Sequence, residues 1–209
     1  MTQTGSTSAR TYRGEAPDER QARRRARLLE AGLDLLGADG WRATTVSAVC
    51  ERARLTPRYF YESFADRDAL LVAIFDTIVE DVAREVIAAQ PASPHDTLRA
   101  TVTAFVTMAT DDPRKGRAAF VEALGSEALM RRRFERMHWF ANLLAEQARA
   151  GRRLRKDDAR RLQTASLIAA GGLIEMMVAW LDGELHSTAE QIIDDYTQVS
   201  TTALASVLS

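Results

Sequence analysis

The sequence predicts an all-α protein of about nine helices, with a small N-terminal three-helix head and a larger C-terminal helical body. Apolar residues recur at spacings of three and four along most of the chain, and no segment alternates with the period of two that a half-buried strand requires. Five prolines and eleven glycines in 209 residues leave long stretches free of helix breakers. The length suits a small domain joined to a larger one, and an apolar content of 46% is enough for a sizeable core. The expected division is an arm over residues 1–17, a head over 18–65 and a body over 66–209.

The arm is rich in Thr, Ser, Gly and Arg and lacks the apolar run of a signal peptide, so it is expected to be disordered and the chain to remain cytoplasmic. Cys50 is the one cysteine, which excludes an intrachain disulfide and a thiolate metal cluster. Net charge is −1, but residues 1–64 hold eleven arginines against eight carboxylates and stand at +3, leaving −4 for the remainder. That asymmetry directs attention to the N-terminal third as the part able to meet phosphate.

The first helix is read over Asp18–Asp39, where Leu28, Ala31, Gly32, Leu35 and Leu36 repeat at helical spacing and Asp39-Gly40 ends the run. Arg20, Arg23, Arg24, Arg25 and Arg27 on its leading turns admit two readings, a solvated face or an approach to a DNA backbone. Thr44 or Thr45 then caps a short helix whose Val46, Val49, Cys50 and Ala53 form one apolar stripe. Cys50 is thereby a small core residue.

After Arg54-Leu55, Thr56-Pro57 opens another helix with Thr as N-cap and Pro at the first position, where its missing N–H costs nothing. Two short helices joined by so tight a turn make the DNA-reading helix-turn-helix. Phe60 and Phe64 share its core face. Arg58, Tyr59, Glu62 and Ser63 lie on the flanks, with Tyr61 beside Pro57. Such a helix fits a major groove about 12 Å wide, with side chains near its start reaching base edges and hydroxyls reaching phosphates.

Asp66 caps a long helix to about Ala89, whose stripe from Leu70 to Val86 is too broad for one partner and is expected to touch head and body alike. Pro91–Pro94 reads as a loop and Asp96–Thr110 as the next helix. Further helices are expected at about 114–123, 126–150, 157–183 and 187–207. Ala165–Leu181 is nearly apolar, yet it is short for a membrane span and contains Glu175, so a buried helix is expected and no membrane partner. Its Ala169-Ala170-Gly171-Gly172 run would admit another helix closely. The last two helices either close the chain's own core or pair with a second subunit as a four-helix bundle.

The run from Thr44 to Phe64, continued through Arg67 to Leu71, resembles the TetR family of transcriptional regulators. The shared features are a Thr-capped helix, a small-residue turn, a Thr cap, a Tyr on the second helix, a closing Phe and a basic residue before the next helix. Two positions depart from the pattern. Arg54 stands where the family often has Gly, at a turn whose left-handed backbone suits Gly, so strain or an altered turn is expected there. Ser63 stands where the family often has a phosphate-contacting His, and offers a shorter contact.

The resemblance implies that Thr45, Tyr61 and Arg67 contact phosphates, that Thr56, Pro57, Arg58 and Tyr59 approach bases, and that Ser63 makes a minor contact. It implies a homodimer, formed through the last two helices, that binds a palindromic double-stranded DNA operator. It also implies a small-molecule ligand, partly apolar, in the body, whose binding releases the protein from DNA. The family's usual mode is repression. Candidate pocket residues are Phe75, Phe105, Met108, Phe120, Met137, His138, Met176 and Trp180, because Met and aromatic side chains line adaptable cavities and a His orients a polar group.

Two other readings compete. One is a helical interaction module whose head no longer reads DNA, suggested by Arg54 and the near-neutral charge. The other is a helical enzyme using the pairs Asp111-Asp112, Asp157-Asp158 and Asp194-Asp195. The three histidines are far apart and no phosphate-cradling Gly loop or nucleophile elbow is present, so no enzyme, metal or cofactor is expected.

Overall fold

A computed structural model of the protein describes residues 17–149 and 153–208; the expected arm therefore lies outside the described residues, save Pro17. Among those residues the chain is helical with no strand. The head comprises α1 (Pro17–Ala43), α2 (Val46–Ala53) and α3 (Pro57–Tyr61). The body comprises α4 (Arg67–Ala88), α5 (Pro94–Asp111), α6 (Pro113–Gly116), α7 (Glu127–Arg149), α8 (Lys156–Leu181) and α9 (Ala189–Leu208).

Helix α1 buries Leu28, Ala31, Leu35 and Leu36, the face its spacing predicts. Its regular part ends at Gly40, whose φ of 78° no side chain tolerates easily, and the backbone resumes one further turn to Ala43. At Gly37, α1 meets α6 so closely that a Cβ would lie 2.5 Å from the Cβ of Arg114 and 2.7 Å from its Cα. A side chain there would force the two elements apart.

Helix α4 joins the two halves as expected. Near its start Leu70 and Ile74 pack over Gly32 of α1, and Phe75, Val79, Val82 and Val86 continue into the body. Helix α5 packs on α4 and α9, and α8 lies between α7 and α9. The region expected as one helix at 114–123 is more varied. After the short α6 it widens to a π-helical turn at Arg117–Val121 and tightens to a 3₁₀ turn at Glu122–Gly125. These poorer hydrogen-bond geometries occur where the segment is pulled both ways, its Ala119 and Phe120 toward the body and its Glu122 toward the head.

Helix α8 is long and apolar enough to cross a membrane by length and composition. Leu162, Ala165, Ala169, Ala170, Leu173 and Met177 are buried within the body, but Ile168 on the opposite side is exposed, so the helix expected to be buried is buried on one face only. Tyr196 of α9 donates its hydroxyl to the Ala169 carbonyl at 3.0 Å, so the small residues at 169–170 admit α9. Gly172 has nothing near it.

Candidate nucleic-acid interface and body cavity

Two threonines shape the head's outer face. The Thr45 hydroxyl accepts the Ala48 N–H at 3.2 Å as the N-cap of α2, which leaves its own O–H free to donate outward. Thr44 serves differently: it is buried, and its hydroxyl donates to the Gly40 carbonyl at 2.9 Å. Thr56 holds the N-cap position of α3 without a side-chain cap bond, so its whole hydroxyl is available at the helix start.

Between the helices, Arg54 has φ 52° and ψ 47°, the left-handed conformation. Its N–H donates to the Glu51 carbonyl at 3.0 Å and the Leu55 N–H reaches back to Cys50 at 2.9 Å, a Schellman closure of α2. The expected alternative of a different turn is thus not taken. The turn keeps the shape Gly would give it, at a cost of roughly 1–2 kcal/mol for a residue with a Cβ. Arg27 of α1 compensates in part, its guanidinium donating to the Ala53 carbonyl and, at 3.5 Å, to that of Arg54.

Helix α3 seats itself by Phe60 and Phe64, both buried, with ring centroids 5.6 Å apart. Arg58 stands outward with 84% of its side chain exposed, its Nε on Glu62 at 3.2 Å. Glu62 also accepts from Arg24 of α1 at 3.5 Å. Tyr59 is half-buried because that same Arg24 guanidinium lies over its ring at 4.5 Å. Tyr61 is 60% exposed, edge-on to Phe60. Ser63 is half-buried in the turn that follows, and Pro57 is exposed. Arg67, half-buried at the first position of α4, stacks on Trp41 at 4.6 Å. The structure therefore gathers Thr45, Thr56, Pro57, Arg58, Tyr59, Tyr61, Ser63 and Arg67 around one small helix and its flanks.

The arginines on α1 resolve into a function the sequence reading left open. Arg24 clamps Tyr59 and Glu62, Arg25 lies over the Phe64 ring at 5.0 Å, and Arg27 caps α2. Cys50 is buried in the core, and that burial pushes its thiol pKa up.

In the body, α4, α5, α7 and α8 enclose a cavity of about 250 Å³. Phe75, Phe105, Phe120 and Met137, four of the eight expected pocket residues, line it. Exposed Ile87 and Trp139 also line it, so it reaches the surface beside them.

Residues 28–74 match the family model described as bacterial regulatory proteins, tetR family. This part of the chain is thus similar to the TetR family. The match supports a DNA-binding transcriptional regulator rather than an enzyme. No curated protein matches the sequence. Among solved structures, the fatty acid degradation regulator FadR from Bacillus halodurans superposes with a TM-score of 0.68 at 16% identity, over 90% of this chain and 96% of its own. A TetR-family transcriptional regulator from Rhodococcus sp. gives 0.69 at 21%, over 88% and 99%. FadR from Bacillus subtilis, solved in complex with stearoyl-CoA, gives 0.62 at 15%, over 88% and 97%. At these identities the likeness is one of fold.

The other four expected pocket residues lie away from the cavity. Met108 faces a polar groove with Asp81, Asp111 and Lys115. His138, next to Met137 and so rotated about 100° round α7, is exposed and donates Nδ1–H to the Phe134 carbonyl at 2.8 Å. Met176 is two residues past the lining Ile174, which carries it to another face of α8. Trp180 donates Nε1–H to the Ser187 carbonyl at 2.9 Å and closes the turn into α9. Leu143, Ile174 and the aliphatic face of α4 take their places in the wall. Single aromatics stand out in a sequence, whereas aliphatic wall residues look like any core.

The aspartate pairs are engaged elsewhere. Asp112 caps α6 and binds Arg114 at 2.9 and 2.7 Å, which holds its carboxyl below the usual range. Asp194 pairs with Arg99 at 2.6 Å, and Asp157 and Asp158 occupy the first turn of α8, where a helix favours negative charge. Among the described residues no three His, Cys, Asp or Glu side chains gather as a metal site would need.

Proposed function

We propose that this regulator is a homodimeric repressor that binds a palindromic operator and is released when a partly apolar small molecule enters the body cavity. The observation that carries the reading is the clustering of exposed hydroxyl, aromatic and basic side chains around α3. Thr45, Tyr61 and Arg67 donate to phosphates, with Ser63 as a lesser contact, and Thr56, Pro57, Arg58 and Tyr59 face base edges. Residues 18–65 act as the DNA-binding head, and 66–209 as the ligand-binding and dimerisation body, in the cytoplasm.

Two features support a dimer through the last two helices. Ile168 on α8 and Val199 on α9 are each 68% exposed, and Gly172 leaves an open notch one turn beyond Ile168. Large aliphatic side chains left in water along two long helices are suited to a four-helix interface.

The release mechanism needs a path from cavity to head, and two are at hand. Helix α4 lines the cavity with Phe75, Val79 and Val82 and begins with Arg67 at the head. Phe120 lines the same cavity, and Glu122 two residues on holds the Trp41 amide. A dimer reading successive major grooves needs its recognition helices about 34–36 Å apart. A ligand that favours another spacing by the roughly 1–3 kcal/mol typical of allosteric coupling weakens binding 5- to 150-fold. The FadR neighbour holding stearoyl-CoA supports a ligand with an apolar chain.

Selection from a random duplex library tests the DNA reading. An enriched two-fold-symmetric sequence is expected; no enrichment would favour the interaction module with a silent head. Sedimentation tests the dimer. Ile168→Glu is expected to give monomers at micromolar concentration, and a wild-type monomer would refute the interface.

A further inference from the structure

Helix α7 carries Arg132, Arg133 and Arg136 on adjoining faces, and two of the three are spoken for. Arg132 donates to both oxygens of Asp76 at 2.8–3.1 Å and to Glu135 at 2.9 Å. Arg136 donates to the same Asp76 at 3.0 Å. Arg133 turns to the cavity instead. It donates to the Phe120 carbonyl at 3.3 Å, and among the described residues no carboxylate stands within ion-pairing distance of it. Glu175 exerts only a longer-range pull, and burial is the larger influence on the guanidinium.

The two hydroxyls of the wall are satisfied. Thr97 donates to the Ser93 carbonyl at 3.0 Å and Thr101 to the Thr97 carbonyl at 2.7 Å, so both hydroxyls are spent on their own helix. The rest of the wall is aliphatic or aromatic, or, at Arg136, already neutralised by Asp76. The cavity therefore offers one uncompensated positive charge in an apolar enclosure.

We propose that the cavity takes an amphiphilic monocarboxylic acid, its apolar chain among Phe75, Val82, Phe105 and Leu173 and its carboxylate on the Arg133 guanidinium. This rests on the reading of the cavity as the ligand site and names the chemistry of its occupant. A partly buried cation without a counter-ion is costly, and an anion arriving with its own apolar tail relieves that cost while removing tail surface from water. The planar fork of Arg matches a carboxylate bidentately. A single available charge suits a monoanion, and the small volume, near the lower end of the roughly 300–1,000 Å³ usual for ligand pockets, suits a chain of moderate length.

Calorimetry on the full-length protein at about neutral pH, with decanoate, 1-decanol and decyltrimethylammonium as probes, tests this. Wild type is expected to bind decanoate roughly tenfold or more tightly than decanol, and the cation most weakly. Arg133→Gln should abolish the preference of acid over alcohol while leaving decanol binding within about threefold of wild type. Equal binding of acid and alcohol by the wild type, a measurement that needs no variant, overturns the role of Arg133 and leaves the cavity reading standing. Retention of the preference by a folded Arg133→Gln protein does the same. If none of the three probes binds the wild type, the cavity reading falls and takes the proposal with it.

Discussion

The Glu122 carboxylate accepts the backbone N–H of Trp41 at 3.0 Å. By this contact the body caps the break at Gly40 that ends the regular part of the first head helix. Arg117 holds the other oxygen at 2.9 Å, and the Trp41 ring in turn carries Arg67. A carboxylate so placed is a charge-assisted acceptor, worth about 1.5–3 kcal/mol. Glu122→Ala should lower unfolding stability by roughly that amount, and Glu122→Gln by less because an acceptor oxygen remains. Urea unfolding checks this; an alanine variant as stable as wild type would mean that the seam is held by other contacts.

Arg54 stores strain that glycine would relieve. Arg54→Gly is expected to raise stability by about 0.5–1 kcal/mol, the left-handed penalty removed less the added freedom of the unfolded chain. Thermal unfolding measures it, and destabilisation would show that the arginine side chain contributes more than its backbone costs.

This residue also marks how far the sequence could be read. The capping threonines, the Phe60/Phe64 pair and the break at Gly40 follow from local chemistry, so the head was legible almost residue by residue. The α1 arginines were visible as a cluster, but their partners Tyr59, Glu62 and Phe64 are more than thirty positions away, and periodicity says nothing about such pairs. In the body, spacing gave the helices yet not which face each turns inward. Met176 and Trp180 therefore looked equivalent to Met137 and Phe120, and Arg133 was indistinguishable from the paired Arg132 and Arg136. The π-helical turn at Arg117–Val121 has no sequence signature comparable to a cap.

Arg24 positions the reading helix without standing on its outer face. Arg24→Ala should weaken operator binding about three- to tenfold while costing less than about 1 kcal/mol of stability, since exposed cation–π and ion-pair contacts are individually weak. Arg58→Ala should instead relax discrimination at one base position by about 1–3 kcal/mol. Fluorescence anisotropy on an operator and its single-base variants separates them. If both variants lose affinity uniformly across sequences, Arg58 is not a base reader.

Tyr196 predicts an alkaline limit to stability. Burial pushes its phenol up to about 12, from an ordinary value of 10. Between those values the unfolded chain releases the proton and the folded chain keeps it. Stability is thus fully present below about pH 10 and declines as pH rises to about 12, by up to roughly 2–3 kcal/mol. Tyr196→Phe should flatten this decline while losing about 1 kcal/mol near neutral pH with the bond to Ala169. Chemical denaturation across that range is the check, and an unchanged alkaline slope in the variant would refute the assignment.

The central claim, that the face around α3 reads DNA, is tested most directly by the salt dependence of operator binding in wild type, Tyr61→Phe and Arg67→Ala. Loss of a phosphate-bound cation should lower the log–log salt slope by about one in Arg67→Ala, with weaker binding at every salt concentration. Tyr61→Phe should weaken binding a few fold with the slope unchanged, since its hydroxyl carries no charge. Both variants binding with wild-type affinity and wild-type slope would contradict the account.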